Sequence, residues 1–316
     1  MRKKKKDIVL DDENTEDEII DEEEEEEDLE EVKEKKSHKL LNFFIFFVLL
    51  IVLIFFYSKY VGTKGLIVKE YRIESEKLTN NFNGLKIVHF SDVLYKSTFN
   101  FDDLKVLVNR INELKPDIVV FTGDLVNKNI KLSDTDTTNI ISELSKIKTT
   151  IASYAIYGDA DYSLSKYEDI MKNSGFKILN NSYDEIFYKT NDPIYIVGLP
   201  SSIKETIKLD EAFDFYSDEN RKFIITLVHD GNSIKYLDES NYEVDLILGG
   251  HSLNGSVVIP FYGGILKEKS IYKYSKPEYK KGITNIFISS GLGTDEYGYR
   301  FLNKPSFNLY RLKAQS

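Results

Sequence analysis

The 316-residue chain contains no cysteine and no tryptophan, only six prolines, and only four histidines. Without cysteine there is no disulfide framework, no thiolate metal site and no thiol nucleophile. That absence suits either side of a membrane and assigns no compartment. No Gly/Pro-rich stretch or internal repeat divides the region beyond Gly65. Its roughly 250 residues are enough for one sizeable domain. Imidazole chemistry is confined to His38, His89, His229 and His251. An excess of positive charge is missing as well, the formal net charge being -10. Residues 1–39 hold 9 of the 42 basic and 18 of the 52 acidic residues, which leaves 33 against 34 in the remainder. A folded part so balanced argues against nucleic-acid binding.

The acidic excess belongs to a tail, residues 1–39, with a basic cluster at Arg2 to Lys6, an acidic block from Asp21 to Asp28 and further lysines before Lys39. Such blocks repel themselves and cannot bury a core, so the tail is expected to be disordered. Long apolar runs are equally scarce: residues 40–57 form one, interrupted only by Asn42. Eighteen helical residues rise about 27 Å, close to the hydrocarbon thickness of a bilayer. Apolar side chains on every face suit a membrane anchor better than a core helix. The late start and the lack of a small-residue cleavage pattern argue against a signal peptide. Lysines and arginines are evenly matched on its two sides, and adding Arg2 to Lys6 places the N-terminus in the cytoplasm and the domain outside. The expected organisation is tail 1–39, anchor 40–57, linker and first strand 58–83, and a domain over 84–316.

Within that domain, five short apolar runs stop at a small residue followed by Asp or His. They are residues 85–92, 118–124, 154–161, 224–230 and 246–252. Each has the length and β-branched, aromatic content of a strand buried on both faces. Amphipathic stretches at 104–114 and 140–147 separate the first three, so βα units are expected. In such sheets ligands gather at the carboxyl ends of the strands. Asp92, Asp124, Asp159, Asp161, His229 and His251 all fall there. His89 lies inside its strand and reads as packing or surface, and Asp161 as a turn hydrogen-bonding residue.

The ordered blocks GLKIVHFSD, DIVVFTGDLV, AIYGDAD, VHD and GGHSLNGSVVIPFYG, with SSGLGT near the end, resemble the calcineurin-like metallophosphoesterases, most of all their membrane-anchored bacterial branch. The resemblance spans about 84–312. It implies an α/β sandwich of two packed mixed sheets flanked by helices, and two divalent metals that activate water against a phosphoryl group. Carried over position by position, Asp92 matches a ligand of the first metal and Asp124 the carboxylate that bridges both. His229 and His251 match ligands of the second metal, and Asp159 stands in place of its Asn. Leu94 and Leu253 occupy the positions of first-metal histidines, and Ala160 that of the catalytic histidine.

Leucine offers no lone pair, so the resemblance implies loss of the first metal position, with Asp92 its remnant. Asp124, Asp159, His229 and His251 remain as a set suited to one divalent Mn, Fe or Zn, unless the site binds none. Two functions follow as alternatives. One is a membrane-anchored, impaired hydrolase of phosphoester or pyrophosphate bonds, acting on a phosphorylated small molecule or lipid-linked phosphate. The other is an inactive pseudoenzyme serving as a tethered binding or scaffolding module. Lysines and tyrosines interleaved over 267–281 read either as a solvated insertion or as a contact for anionic head groups.

Overall fold

The computed structural model describes residues 35–36, 38–265 and 273–315. The acidic tail up to residue 34, and Lys267, Lys269 and Tyr272 of the basic insertion, lie outside them. The chain divides into two units, Met1–Phe55 and Phe56–Ser316. Helix α1 (His38–Val61) starts in the first unit, and none of its most apolar window is buried. Its last turn, Tyr57–Val61, is π-helical and belongs to the second unit. Among the described residues α1 alone is long and apolar enough to cross a membrane.

The second unit is built on two six-stranded sheets. The first has the order β1 (Ile67–Ser75), β14 (Ser306–Ala314), β2 (Lys86–Phe90), β3 (Ile118–Phe121), β4 (Ala152–Ala155) and β5 (Phe176–Ile178). The second runs β12 (Glu278–Lys281), β13 (Thr284–Ile288), β9 (Leu246–Gly249), β8 (Ile224–Leu227), β7 (Ile194–Gly198) and β6 (Ser182–Ile186). Both sheets are mixed: β14 runs antiparallel to β2, and β12 and β6 antiparallel to their neighbours, around parallel centres. The two packed mixed sheets expected from the sequence are therefore present. All five apolar runs supply central parallel strands, namely β2, β3, β4, β8 and β9.

Strand alternation divides each run between two apolar layers. Val88, Phe90, Val119 and Phe121 pack in a cluster with Leu104, Leu107 and Ile111 of α2 (Phe101–Leu114) and with residues of α3 (Asp134–Leu144) and α4 (Tyr167–Asn173). Ile87, Ile118 and Val120 share the other layer with Ile196, Ile225, Leu227 and Leu248 of the second sheet. A third cluster joins the second sheet to α5 (Leu209–Ala212) and α6 (Ser233–Asp238). Helix α2 starts at Asn100, whose side chain accepts from the Asp102 and Asp103 amides in a reciprocal capping box, removing the orphan donors of the first turn. The basic insertion is partly tied down: Lys273 and Lys281 pair with Asp238 of α6 at 3.1 and 2.6 Å.

His89 is fully buried, with Nε2 2.9 Å from the Thr122 hydroxyl. Burial pushes its pKa down to about 3, whereas an unfolded histidine titrates near 6.5. The unfolded chain therefore binds the extra proton between those values. The His89 contribution is complete above the unfolded pKa and is lost as pH falls towards 3, by about 1.4 kcal/mol per unit. Urea midpoints taken between pH 7.5 and 5 should show this slope, and His89→Gln should flatten it. Equal slopes in the two proteins would contradict the assignment.

Candidate metal centre

The loops that follow β2, β3, β4, β8 and β9 carry Asp92, Asp124, Asp159, His229 and His251, at the carboxyl ends of parallel strands. Asp124, His229 and His251 are buried and converge, each offering a ligand atom within 4.8 Å of the others. His229 Nε2 lies 3.3 Å from Asp124 Oδ2 and 3.2 Å from His251 Nδ1. Its other nitrogen, Nδ1, donates to the Thr122 carbonyl at 2.7 Å. That bond sets the tautomer and turns the Nε2 lone pair towards Asp124 and His251. Two imidazole nitrogens facing each other beside a carboxylate require a proton or a cation between them. Burial opposes charge on His229, but Asp124, Asp92 and Asp159 hold its pKa well above the usual range. The donor set, one carboxylate and two imidazoles, fits a divalent transition metal.

Asp159 stands beside this trio rather than inside it. Its Oδ2 is 3.7 Å from His251 Nδ1, and its Oδ1 accepts the Ser201 hydroxyl. Asp92 is engaged otherwise: both oxygens accept the His251 amide at 3.1 Å, and Oδ2 accepts the Ser91 hydroxyl. Burial pushes its carboxyl up to about 6, against the pull of His229. Leu94, Ala160 and Leu253 line the same cleft as Asp92, Asp124, Asp159 and His251, a space of about 760 Å³. Lys128 and Lys204 also line it.

The backbone here is strained in a regular way. Asp92, Leu94, Asp124, His251 and Leu253 have φ of +48°, +44°, +60°, +65° and +48°. A left-handed conformation costs an L-residue roughly 1–2 kcal/mol, and leucine gains nothing local in return. Asp161 supports one such turn, accepting from the amides of Asp124, Leu125 and Gly158 at 2.7, 2.9 and 2.8 Å. It is the turn residue the sequence suggested. A Cβ on Gly158 would meet Asp124 Oδ1 at 2.4 Å, and one on Gly250 would meet Asp92 Oδ2 at 2.6 Å. These two glycines permit close approach rather than an unusual turn.

Sequence patterns did not mark Arg300, a fully buried side chain. Its guanidinium donates to the carbonyls of Ser290, Gly293 and Asn303. The loop so held returns the amides of Leu292 and Gly293 to the Asp92 carbonyl at 3.0 and 2.9 Å. Asp230 is similar, since it accepts from Ser202 and Ser233 and secures the turn after His229. Nothing in the neighbouring sequence shows that Arg300 or Asp230 binds loop groups of its own chain, because those partners are distant in sequence or are backbone carbonyls.

Carboxylates and imidazoles gathered at strand ends of a two-sheet sandwich define a metallophosphoesterase-type centre. Residues 85–255 match the calcineurin-like phosphoesterase domain, and the chain belongs to that family. It is 31% identical over 261 residues to the uncharacterized metallophosphoesterase YkuE of Bacillus subtilis, covering 82% of this chain and 89% of that one. A transmembrane protein with metallophosphoesterase domain from Danio rerio is 26% identical, over 72% of this chain and 52% of the relative. The UDP-2,3-diacylglucosamine pyrophosphatase LpxG of Chlamydia muridarum is 21% identical, over 73% and 84% respectively. The apolar helix α1 and the transmembrane relative together suggest a single-pass membrane protein.

Proposed function

We propose that the protein is a membrane-anchored phosphoesterase with half of a two-metal centre, holding one divalent Mn, Fe or Zn and hydrolysing phosphoester or pyrophosphate bonds slowly. The observation that carries this is the Asp124, His229 and His251 trio, of which Asp124 and His251 line a cleft that they share with Leu94 and Leu253. Asp124, His229 and His251 would hold the ion, with Asp159 completing the set from beside His251. A bound ion there would supply a phosphoryl-polarising charge and a water of lowered pKa.

The chain's own residues then divide the remaining work. Thr122 fixes the His229 tautomer, and Asp92 orients the His251 backbone. Lys128 and Lys204 offer positive charge to a phosphate in the cleft. Ala160 leaves the leaving group without a positioned acid, a loss of about 10²–10⁴-fold. The LpxG relative, a UDP-2,3-diacylglucosamine pyrophosphatase by name, and the apolar helix favour a lipid-linked phosphate over a soluble ester. The basic cluster Arg2 to Lys6, added to an otherwise even count, supports a cytoplasmic N-terminus. The second reading, an inactive tethered binding module, draws its support from Leu94, Ala160 and Leu253 together.

Elemental mass spectrometry of the full chain tests the proposal. About one equivalent of metal is expected, lost in Asp124→Ala and His251→Ala. Two equivalents would overturn the half-centre. None after reconstitution would leave the binding module.

A further inference from the structure

The short hairpin β10 (Val258–Ile259) and β11 (Gly263–Gly264) ends in a turn closed by the Tyr262 amide on the Ile259 carbonyl at 3.2 Å. Pro260 and Phe261 are its central residues, and Phe261 has φ of +66°. A turn with proline second and positive φ third is type II, a position that glycine or asparagine fills without strain. Here it holds a phenylalanine whose side chain is wholly exposed (112%), beside Tyr262 at 79%. Ile259 and Ile265 extend the exposed apolar surface along the hairpin. Strain that leaves a large aromatic ring in water implies another use for that ring.

The base of the hairpin indicates which surface it meets. Val258 donates to the Phe301 carbonyl at 2.9 Å, and Val257 forms a bridge with Phe301. The Phe301 ring packs edge-on against Tyr57 at 6.0 Å. Tyr57 is the residue at which the apolar run of α1 ends. The next residues continue the contact, Ser58 accepting the Arg300 amide and Lys59 reaching the Tyr297 carbonyl at 3.1 Å. One phenylalanine therefore separates the base of the hairpin from Tyr57, the point where, on the reading of α1 as a span, the chain leaves the hydrocarbon layer. Aromatic side chains are favoured at the boundary of that layer.

We propose that the hairpin tip, residues 259–262, seats in the interfacial layer of the membrane that α1 crosses. This rests on the reading of α1 as a membrane span and gives the domain a second attachment. Ile265 and Tyr297, next to the hairpin and to the α1 exit, both line the catalytic cleft. A domain held at two points would keep that cleft beside the lipid surface, in reach of a phosphate borne on a lipid.

Because the chain lacks tryptophan, Phe261→Trp introduces a single indole, and at an exposed position it removes no packing. The full chain would be reconstituted in vesicles of phosphatidylcholine and phosphatidylglycerol with brominated acyl chains. The Phe261→Trp indole should emit to the blue and lose most of its emission to the bromolipid. Phe187→Trp, at a half-exposed site just after β6, should remain water-like and unquenched. Phe47→Trp, within α1, should be quenched. Water-like emission at 261, quenched by iodide but not by bromolipid, would overturn the proposal. Blue emission without bromolipid quenching would overturn it too, showing that protein covers the tip. An unquenched Phe47→Trp would remove the membrane span, and the proposal with it, without touching the metal centre.

Discussion

Replacing Leu94, Ala160 and Leu253 together with histidine is expected to raise phosphoesterase turnover by about 10²-fold or more. All three positions line the cleft that holds Asp92, Asp124 and His251. The backbone is already prepared, since residues 94 and 253 lie at φ of +44° and +48°. Histidine is commoner than leucine in that conformation, so two of the changes suit the local geometry. Leu94→His and Leu253→His would add two imidazoles near Asp92, and bound metal should rise from about one to two equivalents. Ala160→His would add the missing acid, its amide already donating to Asp124 Oδ1 at 2.8 Å. Rates on bis(p-nitrophenyl) phosphate with Mn, read beside metal content, separate the contributions. Two equivalents without a gain in rate would argue for a binding module whose decay extends beyond these positions.

Arg300→Met is expected to lower stability by roughly 3 kcal/mol or more, because it strands three buried carbonyls without donors. Burial lowers the pKa of Arg300 to about 10, and nearby Asp92 and Asp295 oppose that shift, so it remains charged at neutral pH. Its charge is met by the carbonyls of Ser290, Gly293 and Asn303, which a planar five-donor fork can satisfy together. Lysine presents a single point of charge, so Arg300→Lys should rescue little. The consequence reaches the metal centre through a short path: Arg300 holds Gly293, Gly293 holds the Asp92 carbonyl, and Asp92 holds the His251 amide. A urea titration should show the loss of stability, and metal affinity should fall with it. A variant as stable as the parent would mean that water satisfies those carbonyls.

The five apolar runs and their terminal Asp and His residues were legible because both signals are local. A strand buried on both faces needs a short continuous apolar stretch, and a parallel sheet delivers its strand ends to one edge. The candidate ligands were therefore readable as a set. How closely they meet was not. Asp159 and Asp124 follow adjacent strands, yet only Asp124 joins His229 and His251 within 4.8 Å. Arg300 was invisible because its partners are backbone carbonyls that exist only in the folded loop. The hairpin tip was visible as a Pro-Phe-Tyr-Gly stretch, but nothing in its composition shows that the base of the hairpin pairs with Phe301.

From the amino-acid order alone come the family, the alternation of strands and helices, the long apolar helix and the expectation that Leu94, Ala160 and Leu253 stand where the family carries histidine. These depend on residue type, spacing and period, which are properties of neighbouring positions. Tertiary structure decided which side chains face a common point and which serve only to hold them there. That depends on left-handed turns at Asp92, Asp124 and His251. Those turns persist because distant groups, Asp161 for Asp124 and Asp92 for His251, take up the amides they expose.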